Sequence, residues 1–235
     1  MHKINDSIIR SGLASKIAYA DNCTIANKLY TSIRLQGRNP TCKILDNNNT
    51  HVYSWQCGVN SKLIAFRGSN NIKEAAQYLN SDMTELHIRN SKFKIHTNIF
   101  NMFHNLENEL TNYILSPPLS NIKQTITFCG HSKGAACAML AAAYYGDITG
   151  DNFEIKCHTF ACPKLGDKNF ITWYLNNVDE TFNILTEHDF VQYIPCWSDY
   201  VDNPNVILLH DNCNPLIAHD LDTYNDLMIN KISDK

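Results

Sequence analysis

The chain is expected to fold as an α/β domain in which a mostly parallel central sheet carries helices on both faces. Strand-like apolar runs alternate with helical segments through the second half of the sequence, the pattern a parallel sheet with crossover helices demands. The length of 235 residues and an apolar fraction of 44%, against 18% charged, supply one well-filled core. No internal repeat and no long linker divides the chain, so residues 1–235 are expected to form a single domain.

Residues 7–34 read as two helices, since Ile9, Leu13 and Ile17 recur at four-residue spacing and Ala20-Asp21-Asn22 supplies a break and a cap. Three neighbouring strands follow near 42–45, 51–55 and 62–66, the first two separated by the turn-rich Asp46-Asn47-Asn48-Asn49. A short helix is predicted over 72–79, then a polar loop to Lys92, then a longer helix over 98–115 stopped by Pro117-Pro118. Strands at 125–129, 155–160 and 181–185 alternate with helices at 133–146 and 167–177.

A formal charge of −3 with thinly spread Lys and Arg leaves no basic stripe, which argues against a nucleic-acid partner. The longest apolar stretch, 135–145, is about half of a bilayer span and rich in small residues, as in a buried helix. Asp6, Ser7, Arg10, Ser11 and Lys16 interrupt the N-terminal apolar residues, so no signal peptide is read. Nine cysteines, an odd number without CxxC pairs and partly inside apolar runs, predict reduced thiols and a cytoplasmic setting, with a processed secreted form left open. No H-E-x-x-H or clustered Cys/His ligand spacing appears, so neither metal nor cofactor is expected.

The chemistry concentrates at Gly130-His131-Ser132-Lys133-Gly134, a G-x-S-x-G match lying directly after an apolar strand and directly before an alanine-rich helix. A serine in so tight a turn needs small residues two positions away on either side, so that strand and helix backbones can approach. The helix N-terminus that follows points N–H groups at a developing oxyanion. Ser132 is therefore the candidate nucleophile, and the alternative is an ordinary strand–helix turn capped by a serine.

From this point the chain resembles the class 3 (fungal-type) lipase family of the α/β-hydrolase fold. Phe66-Arg67-Gly68-Ser69 is similar to its F-R-G-[ST] segment, and Ile95-His96-Thr97-Asn98-Ile99-Phe100 to its V-H-x-G-F segment. Thr159 through Asp167 resembles T-F-G-x-P-R-V-G-N, with Ala161 in place of the glycine, and Asp189 through Pro195 resembles D-x-V-P-x-L-P. These blocks occur in the family's order over roughly residues 60 to 224.

In α/β-hydrolases the triad runs Ser, Asp/Glu, His along the chain. Asp189 follows the strand at 181–185, on a loop at its C-terminal end, where ligands of open sheets gather. Downstream stand only His210 and His219; His210 ends the apolar run 206–209, whereas Ala218-His219-Asp220-Leu221-Asp222-Thr223-Tyr224 resembles the family's segment opening the last helix. The expected catalytic set is Ser132, Asp189 and His219. The resemblance implies an oxyanion hole from the N–H and hydroxyl of Ser69 and the N–H of Lys133, the latter in place of the usual leucine. It also implies a lid over 70–83, although the apolar face there is modest.

The activity implied is hydrolysis of carboxylic esters, with a glycerolipid or other lipid ester as substrate and transient contact with a membrane or lipid-droplet surface. A phospholipase A1-type esterase could run on the same residues, and a non-catalytic lipase-like binding protein is the alternative from a different class. Acyl-chain length, head-group preference and oligomeric state stay open.

Overall fold

The computed structural model describes residues 4–21, 24–26, 43–47, 50–69, 82–116 and 122–233. Helix α1 (Asp6–Ile17) starts where the Asn5 side chain accepts the Ile8 N–H at 3.0 Å, a cap that satisfies one of the free donors of the first turn. Strands β1 (Lys43–Asn47), β2 (Thr50–Gln56) and β3 (Ser61–Phe66) form an antiparallel meander. The second helix expected before residue 34, apart from helical 24–26, and the helix and lid expected over 70–83 lie outside the described residues up to 81.

The polar loop expected up to Lys92 is instead a hairpin, β4 (Met83–Ile88) with β5 (Ser91–His96). Its polar appearance comes from alternation: Glu85, Lys92 and Lys94 point outward while Phe93 and Ile95 are buried. Phe93 stacks on Trp173 at a centroid distance of 4.5 Å, a long-range contact that overrides the low strand propensity of the charged positions. Arg89, at φ 51°, makes the tight turn between the strands.

Helix α2 (Thr97–Ile114) buries Ile99, Met102, Phe103, Leu106, Leu110 and Ile114, one face at helical spacing. Strand β6 (Gln124–His131) leads into α3 (Lys133–Thr149), whose alanines are buried almost all round. Then come β7 (Phe153–Phe160), α4 (Lys168–Asn177), β8 (Glu180–Thr186), β9 (Val206–Leu209), the single turn α5 (Pro215–Ala218) and α6 (Leu221–Ser233). Asp167 caps α4 by accepting the Phe170 N–H at 2.8 Å, and its other oxygen takes the Lys94 N–H at 3.1 Å, tying the hairpin to the helix.

Among the described residues, seven strands form one sheet in the order β1-β2-β3-β6-β7-β8-β9, with every junction from β3 to β9 parallel. The predicted mostly parallel sheet is therefore present, with an antiparallel edge. Both faces are covered, so the central strands are buried almost throughout and alternate residues join different clusters. Ile64, Phe66, Ile126, Phe128, Ile155 and Cys157 pack under α2, α3 and α4. Leu63, Ala65 and Cys129 meet α1, while Phe160, Ile184 and Ile207 meet α1 and α6. The C-terminal ends of β3, β6, β8 and β9 thus open at one rim, where α/β sheets place their sites.

Candidate active site

Ser132 sits between β6 and α3 at φ 56° and ψ −128°, a conformation side chains rarely adopt. Neighbouring elements hold it there. Its N–H donates to the Phe160 carbonyl at 2.9 Å, and a Cβ on Gly130 would come within 2.3 Å of the Gly134 carbonyl oxygen. A Cβ on Gly134 would lie 2.3 Å from the Phe66 carbonyl oxygen and 2.9 Å from the Gly68 nitrogen. The glycines of the motif therefore do two jobs: Gly130 lets the turn close on itself, and Gly134 lets the start of α3 rest on the backbone that leads to Ser69.

The three side chains expected to act together do meet. His219 Nε2 is 3.2 Å from Ser132 Oγ, and His219 Nδ1 is 3.0 and 2.9 Å from the two carboxylate oxygens of Asp189. All three residues are buried. His210, the other downstream histidine, pairs at the surface with Glu187 and takes no part.

Asp189 stands three residues past the end of β8, and its charge is well solvated by fixed donors. The Val191 N–H donates to one oxygen at 2.9 Å and the Tyr224 hydroxyl to the other at 2.7 Å. Burial works to raise its pKa, but the hydrogen bonds and charge of His219, with those of Val191 and Tyr224, outweigh it and hold the carboxyl below its ordinary value. Burial and the adjacent carboxylate push the Tyr224 phenol well up, so it is a donor at any working pH. Its oxygen also receives the Thr186 N–H at 3.2 Å, and Thr186 Oγ1 donates to the Ala218 carbonyl at 3.0 Å, next to His219.

A cavity of about 370 Å³ opens onto this array, lined among others by Ser69, Ser132, His219, Leu216, Leu221 and Tyr19, a volume ordinary for a small-molecule site. Ser69 and Ser132 line the same cavity. Lys133 is the first residue of α3, directly after Ser132, and is not among the residues that line the cavity. An exposed ion pair of Lys16 with Asp222 lies on the rim. Among the described residues, no three His, Cys, Asp or Glu side chains lie together in a way that could hold a metal ion. Seven of the cysteines lie in the described residues and all are free thiols.

A family model described as lipase (class 3) matches residues 63–198, more than half of the chain. The chain belongs to the class 3 lipase family. It is a lipase-like hydrolase with the α/β-hydrolase fold, and solved structures of similar shape bear the fold out. The triacylglyceride lipase of Rhizomucor miehei superposes with a TM-score of 0.69 at 17% identity, over 88% of this chain and 80% of that one. A mono- and diacylglycerol lipase from Aspergillus oryzae gives 0.68 at 19%, over 91% and 82%. M37 lipase gives 0.70 at 16%, over 99% of this chain and 96% of its own.

Within this family reading, the substitution of Ala161 for the family's glycine acquires a physical meaning. Ala161 has φ 51°, the left-handed region that favours glycine, and is held there by its N–H donating to Ile184 O at 3.1 Å. Asn98, which stands where the V-H-x-G-F segment has its glycine, lies in the first turn of α2. Sequence reasoning did not single out Tyr224, His131 or Tyr19, all of which bond into the array. Tyr224 and His131 lay inside quoted motifs, but Tyr19 carried no local signal.

Among the described residues no helix is long and apolar enough to cross a membrane.

Proposed function

We propose that this protein is a serine carboxylic-ester hydrolase that cleaves glycerolipid esters through an acyl-enzyme on Ser132, with residues 1–235 acting as one domain. The observation that carries the reading is the unbroken Ser132–His219–Asp189 chain, with 3.2 Å from hydroxyl to imidazole and 2.9 Å from imidazole to carboxylate. Because Asp189 accepts from Nδ1, the proton sits on that nitrogen and Nε2 presents a lone pair to the serine hydroxyl.

His219 takes the proton of Ser132 as Oγ bonds to the ester carbonyl carbon, and the carbonyl oxygen becomes an oxyanion. The N–H groups of Ser69 and Lys133 and the Ser69 hydroxyl receive that charge, a contribution of about 3 kcal/mol per well-placed donor in such sites. Collapse of the tetrahedral species breaks the bond to the alcohol, which leaves with the proton from His219. Water then attacks the acyl-enzyme with the same base, and Ser132 regains its proton as the acid departs. Asp189, its pKa lowered, stays ionised throughout and stabilises the imidazolium.

A phospholipase A1-type activity would use the same steps with a different head group in the cavity. The connected triad, with Ser69 lining the same cavity, weighs against a binding protein without catalysis. The test is a fluorophosphonate label, with a panel of short-chain esters, triacylglycerols and phospholipids run in parallel. The wild-type protein is expected to take the label and Ser132→Ala to refuse it. Failure of the wild type to react where a control esterase does would overturn the reading.

A further inference from the structure

His131, the residue before the serine, is buried, and neither of its ring nitrogens is idle. Nε2 is 2.8 Å from the carbonyl oxygen of His219. A carbonyl only accepts, so the proton must lie on Nε2. Nδ1 is then an acceptor, and the Tyr19 hydroxyl stands 2.9 Å from it, able to donate. The backbone at Gly68 packs directly on this pair: a Cβ on residue 68 would come within 2.2 Å of the Tyr19 oxygen and 2.7 Å of the His131 carbonyl oxygen, so the approach requires glycine.

The result is a directed relay, Tyr19 O–H to His131 and His131 N–H to the His219 carbonyl, with Gly68 packed against its Tyr19 end. Its ends are informative. Gly68 immediately precedes Ser69, His131 immediately precedes Ser132, and His219 is the base. Tyr19 belongs to the turn after α1, an element that brings no catalytic group of its own. Resting on the hydrolase reading above, we propose that His131 and Tyr19 are positioning residues that lock the backbone carrying His219 to the loop carrying Ser69, holding base and oxyanion donors in register about Ser132.

The relay works only with neutral members, and the surroundings keep them so. Burial, with the neighbouring His219, pushes the His131 pKa down to about 3, and burial drives the Tyr19 phenol up. A cationic His131 would lose the acceptor that Tyr19 uses. It would also set a positive charge 4.7 Å, ring to ring, from the imidazolium that His219 must become. A neutral histidine can accept on one side and donate on the other without that penalty, which a lysine or arginine could not.

The experiment compares wild type, His131→Leu, His131→Gln and Tyr19→Phe on a soluble short-chain ester, with thermal unfolding and the rate of fluorophosphonate labelling measured on each. His131→Leu is expected to lower kcat about tenfold or more while KM moves less than about twofold, the signature of a misplaced transition-state contact. Tyr19→Phe should act in the same direction but less, and labelling rates should fall in parallel. Glutamine, whose amide can still donate to the His219 carbonyl, should restore most of the loss. Glutamine no better than leucine, or a loss confined to KM, would overturn the lock, since a merely space-filling role predicts both. Nitrogen-15 spectra of the imidazoles provide a readout independent of turnover: His131 should be neutral with its proton on Nε2 from pH 5 to 8, and a cationic or Nδ1-protonated ring overturns the relay itself. A wild-type protein that refuses the label overturns the hydrolase reading and the catalytic purpose of the lock with it, whatever the spectra show.

Discussion

Replacing Tyr224 by phenylalanine deletes one oxygen from the interior and changes almost nothing in shape, which makes it a sharp probe of how the Asp189 charge is tolerated. In the structure that oxygen donates to the carboxylate at 2.7 Å and accepts the Thr186 N–H at 3.2 Å, with both partners buried. Loss of a hydrogen bond to a buried charge costs about 1.5–3 kcal/mol, and an N–H left without a partner adds about 1 kcal/mol more. A total of about 2.5–4 kcal/mol follows, because Val191 N–H and His219 still serve the carboxylate and only one of its donors is gone. For a chain of this size that is a fall in melting temperature of about 5–15 °C. The assay is urea unfolding of both proteins as a function of pH. Because the folded Asp189 carboxyl is held below its ordinary value, the bond is fully present above about pH 4, the unfolded carboxyl's range, and is lost as pH falls through the lower folded value. The gap between the two curves should therefore shrink in strong acid to the roughly 1 kcal/mol of the Thr186 N–H. A difference under about 1 kcal/mol at pH 7, or one that does not shrink on acidification, would refute this account of the charge.

Three further outcomes are expected. The wild-type protein should lose stability as pH drops below about 4, since Asp211 resembles Asp189 in having burial outweighed by donors, here the N–H groups of Cys213 and His188 and the His188 ring; acid titration followed by circular dichroism reads this. Gly146→Ala should destabilise by about 3 kcal/mol or more, because its Cβ would fall 1.7 Å from the Asn177 carbonyl oxygen, a backbone atom that cannot step aside; chemical unfolding measures it. Leu106→Ala, which empties a fully buried position between α2 and the sheet, should cost about 2–5 kcal/mol with labelling of Ser132 retained in the folded fraction.

The strand–helix–strand succession of the second half was legible because each element carries its own local pattern. The structure extends the expected strands and helices by only a few residues: 125–129 becomes Gln124–His131 and 133–146 becomes Lys133–Thr149. The β4–β5 hairpin was not legible. Its buried face rests on Phe93 and Ile95, and it is held by Trp173 and by the cap of α4, both far along the chain. Charged outward positions hid the alternation.

The site divides in the same way. G-x-S-x-G advertises itself because the turn needs glycine at fixed spacing around Ser132, and the order of serine, acid and base follows from the order of strands along the sheet. Those requirements are local or topological, so composition and spacing express them. What only the tertiary structure decided is which groups hold that serine, acid and base: Tyr224 on the carboxylate, and Tyr19, 112 residues from His131, on the ring beside the base. A hydrogen bond imposes no pattern on the residues between its partners. Its donor and acceptor become a pair only when the sheet, covered by α1 and α6 together on one face and by α2, α3 and α4 on the other, brings them within about 3 Å.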